Sequence, residues 1–258
     1  MQKGFIFDLD GTVYLDNRLI DGADEAIQTL IDRGDIVTFL TNKSTETICS
    51  YVKKLNRLGI EVNEKNVINS NYLVALYLKK SMEHDERVLV IGEKPLVDEL
   101  SNMGIRLTKN SQNASYVVLG WDRYFTYNKL NDAYQAWRNG AKIIATNPDR
   151  TCPVEGGQVP DCGAIIGAME GATGENVDIV LGKPSLLAAE YIVEEVIHLS
   201  PEQCYIVGDR LETDIQMGLD YGMQTVLVLT GITNMDLVKA SPIKPNFILD
   251  NIQEIINL

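Results

Sequence analysis

A chain of 258 residues, 45% hydrophobic and 23% charged, is long enough for one large domain or for a core domain with a sizeable insertion. Its formal charge of −13 argues against a nucleic-acid backbone as partner, because neutralising phosphates takes clustered Lys and Arg. No stretch approaches the roughly 18 apolar residues of a membrane span, and the first apolar run begins too early for a signal peptide, so a cytoplasmic protein is expected.

Along the chain, apolar runs alternate with segments of helical period, and repeats and low-complexity stretches are absent. Phe5-Ile6-Phe7 reads as a buried strand that ends abruptly in Asp8-Leu9-Asp10-Gly11-Thr12. A helix with Ala26, Ile27, Leu30 and Ile31 on one face closes at Gly34. Residues 36–40 form a second strand, stopping at Thr41-Asn42-Lys43-Ser44, and a helix carrying Ile48, Val52 and Leu55 ends at Gly59. A short strand over 66–69 and a helix through Leu73, Leu76 and Tyr77 follow.

From about Arg87 a second sheet begins, with strands at 87–92, 116–120 and 142–147, a helix opened by Pro95, and a helix with Leu130, Ala133, Tyr134 and Trp137 on one face. Residues 147–160 read as the longest loop, and a stretch of that length is usually functional or mobile. A helix from Asp161 leads to Asp178-Ile179-Val180 and then to Gly182-Lys183-Pro184-Ser185. After a helix over 184–197, Cys204-Tyr205-Ile206-Val207-Gly208 is an apolar strand ending in Asp209, with Thr213 expected to cap the next helix; strands at 225–229 and 247–249 complete the chain. The pattern predicts an α/β protein, a doubly wound Rossmann-like parallel-sheet core (1–80 and 179–258) with a smaller inserted α/β domain (81–178).

Such a fold gathers four polar clusters at the carboxyl edge of one sheet: Asp8/Asp10, Thr41/Asn42, Lys183 and Asp209/Asp214. Each has an ordinary reading alone. Asp-x-Asp-Gly is a common turn, Thr41 and Asn42 suit a helix cap, Lys183 a solvated surface, and Asp214 a helix first turn. Together, several carboxylates with oxygen-rich neighbours suit a hard cation, best Mg2+, which relieves the repulsion between acids and accepts phosphate oxygens. Cys49, Cys152, Cys162 and Cys204 form no C-x-x-C pair and only His84 and His198 accompany them, so free thiols are expected rather than a zinc site. An anionic substrate on an acidic protein needs local positive charge, which Lys183 and a metal would supply.

The runs Asp8-Leu9-Asp10-Gly11-Thr12, Thr41-Asn42, Gly182-Lys183-Pro184 and Gly208-Asp209 through Asp214 resemble the four motifs of the haloacid dehalogenase superfamily. The likeness covers essentially the whole chain. Ile144 to Arg150, Gly92-Glu93 with Leu96 to Leu100, and Leu229-Thr230-Gly231 narrow it to the NagD-like branch with a type two cap, near its sugar phosphatases. The resemblance implies a Mg2+-dependent phosphatase of small phosphorylated metabolites, sugar phosphates first. Asp8 would be nucleophile and form an aspartyl-phosphate, and Asp10 general acid and base. Asp8, the Asp10 main chain, Asp209 and Asp214 would hold the metal, and Thr41, Asn42 and Lys183 the phosphoryl oxygens. The fourth motif carries Arg210, Leu211 and Glu212 in place of a fixed pattern, which leaves the division of roles between Asp209 and Asp214 open.

Because these motifs supply generic phosphate contacts, substrate choice is expected in the inserted domain. Asn147, Asp149 and Arg150 are the candidates there, with Trp121 to Tyr124, for which packing is the stronger reading. Nucleotides, pyridoxal phosphate and other phosphorylated metabolites are alternative substrates. A phosphotransferase or mutase and a phospho-receiver are less favoured, the last because receivers are far shorter. No membrane partner is expected, and a homodimer through the cap is in keeping with the branch.

Overall fold

The apolar run Phe5-Ile6-Phe7 is wholly buried, and the computed structural model, which describes residues 2–154 and 156–258, builds the chain outward from it. The strands in chain order are β1 (Gly4–Phe7), β2 (Ile36–Thr41), β3 (Val67–Asn69), β4 (Val88–Ile91), β5 (Leu107–Thr108), β6 (Tyr116–Leu119), β7 (Lys142–Ala145), β8 (Ile179–Val180), β9 (Cys204–Gly208), β10 (Gln224–Val228) and β11 (Phe247–Leu249). Two compact units result: Met1–Thr41, Ile48–Ile68 and Lys183–Leu258 make the first, and Asn42–Thr47 with Asn69–Gly182 the second.

The first unit carries a six-stranded sheet in the order β11-β10-β9-β1-β2-β3, with β1 parallel to both β9 and β2. The chain winds from β1 through β2 to β3 on one side, then resumes at β9 and winds to β11 on the other. The order therefore reverses beside β1, where the loops leaving the carboxyl ends diverge and open a crevice. Phe5, Phe7 and Phe39 pack with Ile27 and Leu30 of the helix Ala23–Asp32 and with Leu55 of the helix Ile48–Arg57. Each helix turns its apolar face to the sheet, as its spacing predicts.

The second unit has its own parallel sheet, in the order β8-β7-β6-β4-β5. Val117, Leu119 and Ile143 bury against Ala133 and Ala136 of the helix Tyr127–Arg138 and Ile165 and Met169 of the helix Cys162–Thr173. The short run Asn42–Thr47 joins this unit through buried hydrogen bonds: Ser70 Oγ donates to Asn42 O at 2.7 Å, Asn71 Nδ2 to Ser44 O at 2.9 Å, and Trp121 N to Ser44 Oγ at 2.9 Å.

Three features depart from the sequence reading. The expected loop over 147–160 holds an antiparallel hairpin, Thr151–Val154 with Gly157–Pro160; Glu155 lies outside the described residues. Pro153 and Pro160 in such short runs mask strand character, since proline lacks a ladder donor. A second small hairpin, Tyr14–Leu15 with Arg18–Leu19, follows the first aspartates. Thr213 does not cap a helix: the turn begins after Arg210, whose N–H donates to Asp214 Oδ2 at 3.2 Å. The helical turn already starts at Leu211, so Thr213 lies inside it rather than at its N-terminal boundary. No helix among the described residues is long and apolar enough to cross a membrane.

Candidate active site

Because Phe7 pairs in register with both Val207 and Phe39, the carboxyl ends of β1, β9 and β2 lie side by side at the switch point. Asp8 begins there, its N–H donating to Val207 O at 2.8 Å. Asp209 follows β9 one residue later, and Asp214 lies in the turn after it. Oxygen atoms of Asp8, Asp209 and Asp214 fall within 4.8 Å of one another. Lys183 completes the cluster: its Nζ is bound to Asp8 Oδ1, pairs with Asp214 Oδ1 at 2.7 Å, and donates to Leu40 O at 3.2 Å. Lys183 is 2% exposed, and Asp209 and Asp214 are each 1% exposed.

Such burial sets the electrostatics. Loss of water pushes the Asp8 carboxyl well above the usual range; Lys183 opposes this, and Asp214 and Asp209 add to it. Asp209 is raised to about 6 by burial and then by Asp214, against a hydrogen bond from Ile232 N to Oδ2 at 2.7 Å. Lys183 is pushed up because the attraction of Asp214 and Asp8 outweighs its own desolvation. Asp8 and Asp214 share one buried ammonium with Asp209 beside them, so the cluster holds more acidic groups than cations to balance them. A purely oxygen donor set with a surplus of acids suits a hard divalent cation better than zinc or copper.

Small residues make room for these acids. A Cβ on Gly231 would fall 1.9 Å from Asp209 Oδ2, and one on Gly208 2.2 Å from Asp214 Cγ. Gly11, with φ of +93°, would bring a Cβ within 2.6 Å of Asp209 Oδ2, and its carbonyl accepts from Thr230 Oγ1 at 2.7 Å. The turn after Asp10 is therefore fastened to the turn after β10 around the Asp209 carboxylate.

The remaining expected residues divide. Asp10 is half-buried beside this cluster in sequence, and its carboxylate is not one of the three that converge. Thr41, 2% exposed, ends β2. In the second unit Asn147 and Asp149, 105 and 107 residues further along the chain, both bond to Asn42: Asn147 Nδ2 donates to Asn42 O at 2.8 Å, and Asn42 Nδ2 to Asp149 Oδ2 at 3.0 Å. Of the aromatic candidates, Trp121 is buried, with Lys43 and Arg123 over its ring, while Tyr124 is 72% exposed. Sequence reading missed the Leu40 carbonyl, the Ile232 N–H and the clearance at Gly208 and Gly231. Main-chain groups have no side-chain signature, and only the Thr230-Gly231 pair carried a detectable signal.

A doubly wound sheet whose switch point holds an acid cluster and a buried lysine suits the transfer or hydrolysis of phosphoryl groups. Comparison with known proteins agrees. Residues 5–106 match the family described as haloacid dehalogenase-like hydrolase, and 180–255 match a HAD-hydrolase-like family. The sugar-phosphatase AraL of Bacillus subtilis is 39% identical over 99% of this chain and 92% of its own length. Among solved structures, a p-nitrophenyl phosphatase from Archaeoglobus fulgidus superposes with a TM-score of 0.93 at 30% identity, over 99% of this chain and 98% of that one. NagD of Escherichia coli K-12 gives 0.88 at 29% identity over 98% of both chains. A glycerol phosphate phosphatase from Mycobacterium tuberculosis in complex with magnesium gives 0.86 at 29%, over 98% of this chain and 75% of that one. The chain belongs to the haloacid dehalogenase-like hydrolases, as a phosphoric monoester hydrolase of their NagD-like branch.

Proposed function

We propose that the protein hydrolyses phosphate monoesters of small metabolites, sugar phosphates first, in two steps through an aspartyl-phosphate on Asp8. The observation that carries this reading is the Asp8–Lys183–Asp214 arrangement at the switch point, with Asp209 beside it. A carboxylate oxygen of Asp8 attacks phosphorus as the bond to the leaving oxygen breaks, and Asp10 gives that oxygen its proton. Asp10 then takes a proton from the water that attacks the phosphorylated Asp8, releasing inorganic phosphate and restoring both carboxyl groups. Thr41, Asn42 and Lys183 hold the phosphoryl oxygens, where positioning and charge supply most of the rate.

Asp8, Asp209 and Asp214, with the Asp10 main-chain carbonyl, would hold Mg2+. When bound, the cation supplies positive charge that keeps Asp8 ionised and offsets the charge of the transferring phosphoryl group. Lys183 alone cannot do both, because its ammonium is already shared between Asp8 and Asp214.

The sugar phosphate assignment rests on the likeness to AraL. A panel of phosphorylated sugars, nucleotides, phosphoglycolate, glycerol phosphate and pyridoxal phosphate, read as Mg2+-dependent phosphate release, tests it. Sugar phosphates should give the highest kcat/KM. A preference for nucleotides or pyridoxal phosphate would replace the substrate class, and no release from any ester would remove the reaction.

A further inference from the structure

Leu229-Thr230-Gly231 helps to mark the NagD-like branch, yet the proposed reaction gives Thr230 no part. This segment leaves β10 inside the first unit and grips two turns at once. It starts from the sheet itself, where Leu229 N donates to Leu249 O at 3.0 Å. From there Thr230 Oγ1 donates to Gly11 O at 2.7 Å, Ile232 N to Asp209 Oδ2 at 2.7 Å, and Thr233 N to Asp209 O at 3.2 Å. The two turns also touch through their glycines: a Cβ on Gly11 would fall 3.2 Å from Gly231 Cα.

Gly11 is the soft point of this arrangement. Its φ of +93° suits glycine, and glycine by itself holds a turn less firmly than any other residue. The direction of its peptide groups has to be set by their partners. Gly11 N donates to Tyr14 O at 2.8 Å, and since the peptide joining Asp10 to Gly11 is planar and trans, the Asp10 carbonyl is turned to the opposite side. The next peptide is held at both ends, by Thr230 Oγ1 on Gly11 O and by Leu9 O, which accepts from Thr12 N at 3.3 Å. Of these bonds, the one from Thr230 reaches across from another strand end.

Mg2+ tolerates little departure from octahedral geometry, so it binds tightest where its ligands are already aimed. We propose that Thr230 is a positioning residue for the cation: its hydroxyl locks the Gly11 turn, and with it the Asp10 main-chain carbonyl, against the Asp209 carboxylate that the next residues of the same segment hold. This rests on the assignment of the Asp10 carbonyl and Asp209 as Mg2+ ligands. Groups that aim metal ligands without touching the metal typically control about 10–100-fold in affinity. A residue that only staples two turns together would instead change the stability of the metal-free protein and leave the affinity of folded molecules alone.

The test titrates Mg2+ alone into metal-free wild type, Thr230→Val, Thr230→Ser and Asp209→Asn by calorimetry, with thermal denaturation as a check on folding. Thr230→Val keeps the branched shape without the hydroxyl and should raise the Mg2+ Kd by on the order of tenfold. Thr230→Ser keeps the donor and should stay close to wild type. With an aryl phosphate, kcat of Thr230→Val should return to near the wild-type value once Mg2+ is saturating. If Thr230→Val does not fold, Thr230→Ala replaces it. A wild-type Kd in folded Thr230→Val overturns the proposal in favour of a purely structural staple. An equal loss in Thr230→Ser overturns it too, because the hydroxyl is then not the cause. A kcat that stays low at saturating Mg2+ overturns it in favour of a part in the chemical step. An affinity that Asp209→Asn leaves unchanged instead removes the metal assignment on which the proposal rests, so the two failures are told apart.

Discussion

Opposing forces meet on the Asp8 carboxyl group. Burial and two neighbouring acids favour its neutral form, and only Lys183 favours the ionised form that a nucleophile needs. The surplus of acidic groups over cations at the site suits a bound hard cation. Asp8→Asn should reduce turnover of any ester by on the order of a thousandfold or more, read as phosphate release per folded enzyme. Gly231→Ala tests the packing around Asp209. The added methyl group cannot coexist with Oδ2 at 1.9 Å, so either the carboxylate or the turn must move. A stability loss of about 1–3 kcal/mol in chemical denaturation is expected, together with weakened Mg2+ affinity by titration calorimetry. Unchanged Mg2+ affinity would show that Asp209 does not need that clearance.

Strands β1, β2 and β9 carry these side chains because each is an apolar run that ends in polar residues. Their aromatic residues make the support stiff: Phe7 and Phe39 lie with ring centroids 6.0 Å apart, both fully buried. Phe39→Ala should cost about 3–5 kcal/mol in equilibrium unfolding, while leaving the kcat of the folded fraction within a few-fold, since its ring packs in the core cluster. A collapse of kcat in molecules shown to be folded would mean that β2 sets Thr41 less rigidly than the packing indicates. At this scale the fold was legible wherever hydrophobic period and strand ends agreed, as at Asp8, Lys183 and Asp209. It was not legible at Thr151–Pro160, where prolines and glycines hide a hairpin, or at Thr213, where the helical turn starts two residues earlier, at Leu211. The bond between Asn42 and Asp149 joins residues 107 apart, and no local pattern announces it.

For the whole molecule, the acid cluster ties folding stability to pH and to metal. Asp209 has a folded-state value of about 6, above that of an unfolded aspartate, and Asp8 is raised in the same sense. A raised acid binds its proton more tightly in the folded state, so the stability these groups contribute falls as pH rises through the window up to about 6. Lys183 is raised from an already high value and does not titrate in that window. In the metal-free protein this loss is uncompensated, and Mg2+, which competes with those protons, should reverse it. The increase in Tm on adding Mg2+ should therefore be small well below pH 6 and large well above it. Asp209→Asn should flatten the difference. A Mg2+ effect of the same size on both sides would place the ion elsewhere.

In the proposed reaction a carboxylate oxygen of Asp8 receives the phosphoryl group. A single turnover with an ester labelled in its phosphate, quenched in acid and mapped by peptide, tests that most directly. Label should appear transiently on the peptide containing Asp8, be released by hydroxylamine as an acyl phosphate must be, and be absent from Asp8→Asn. Phosphate release at the full rate with no label on the protein, or label on another residue, would contradict it.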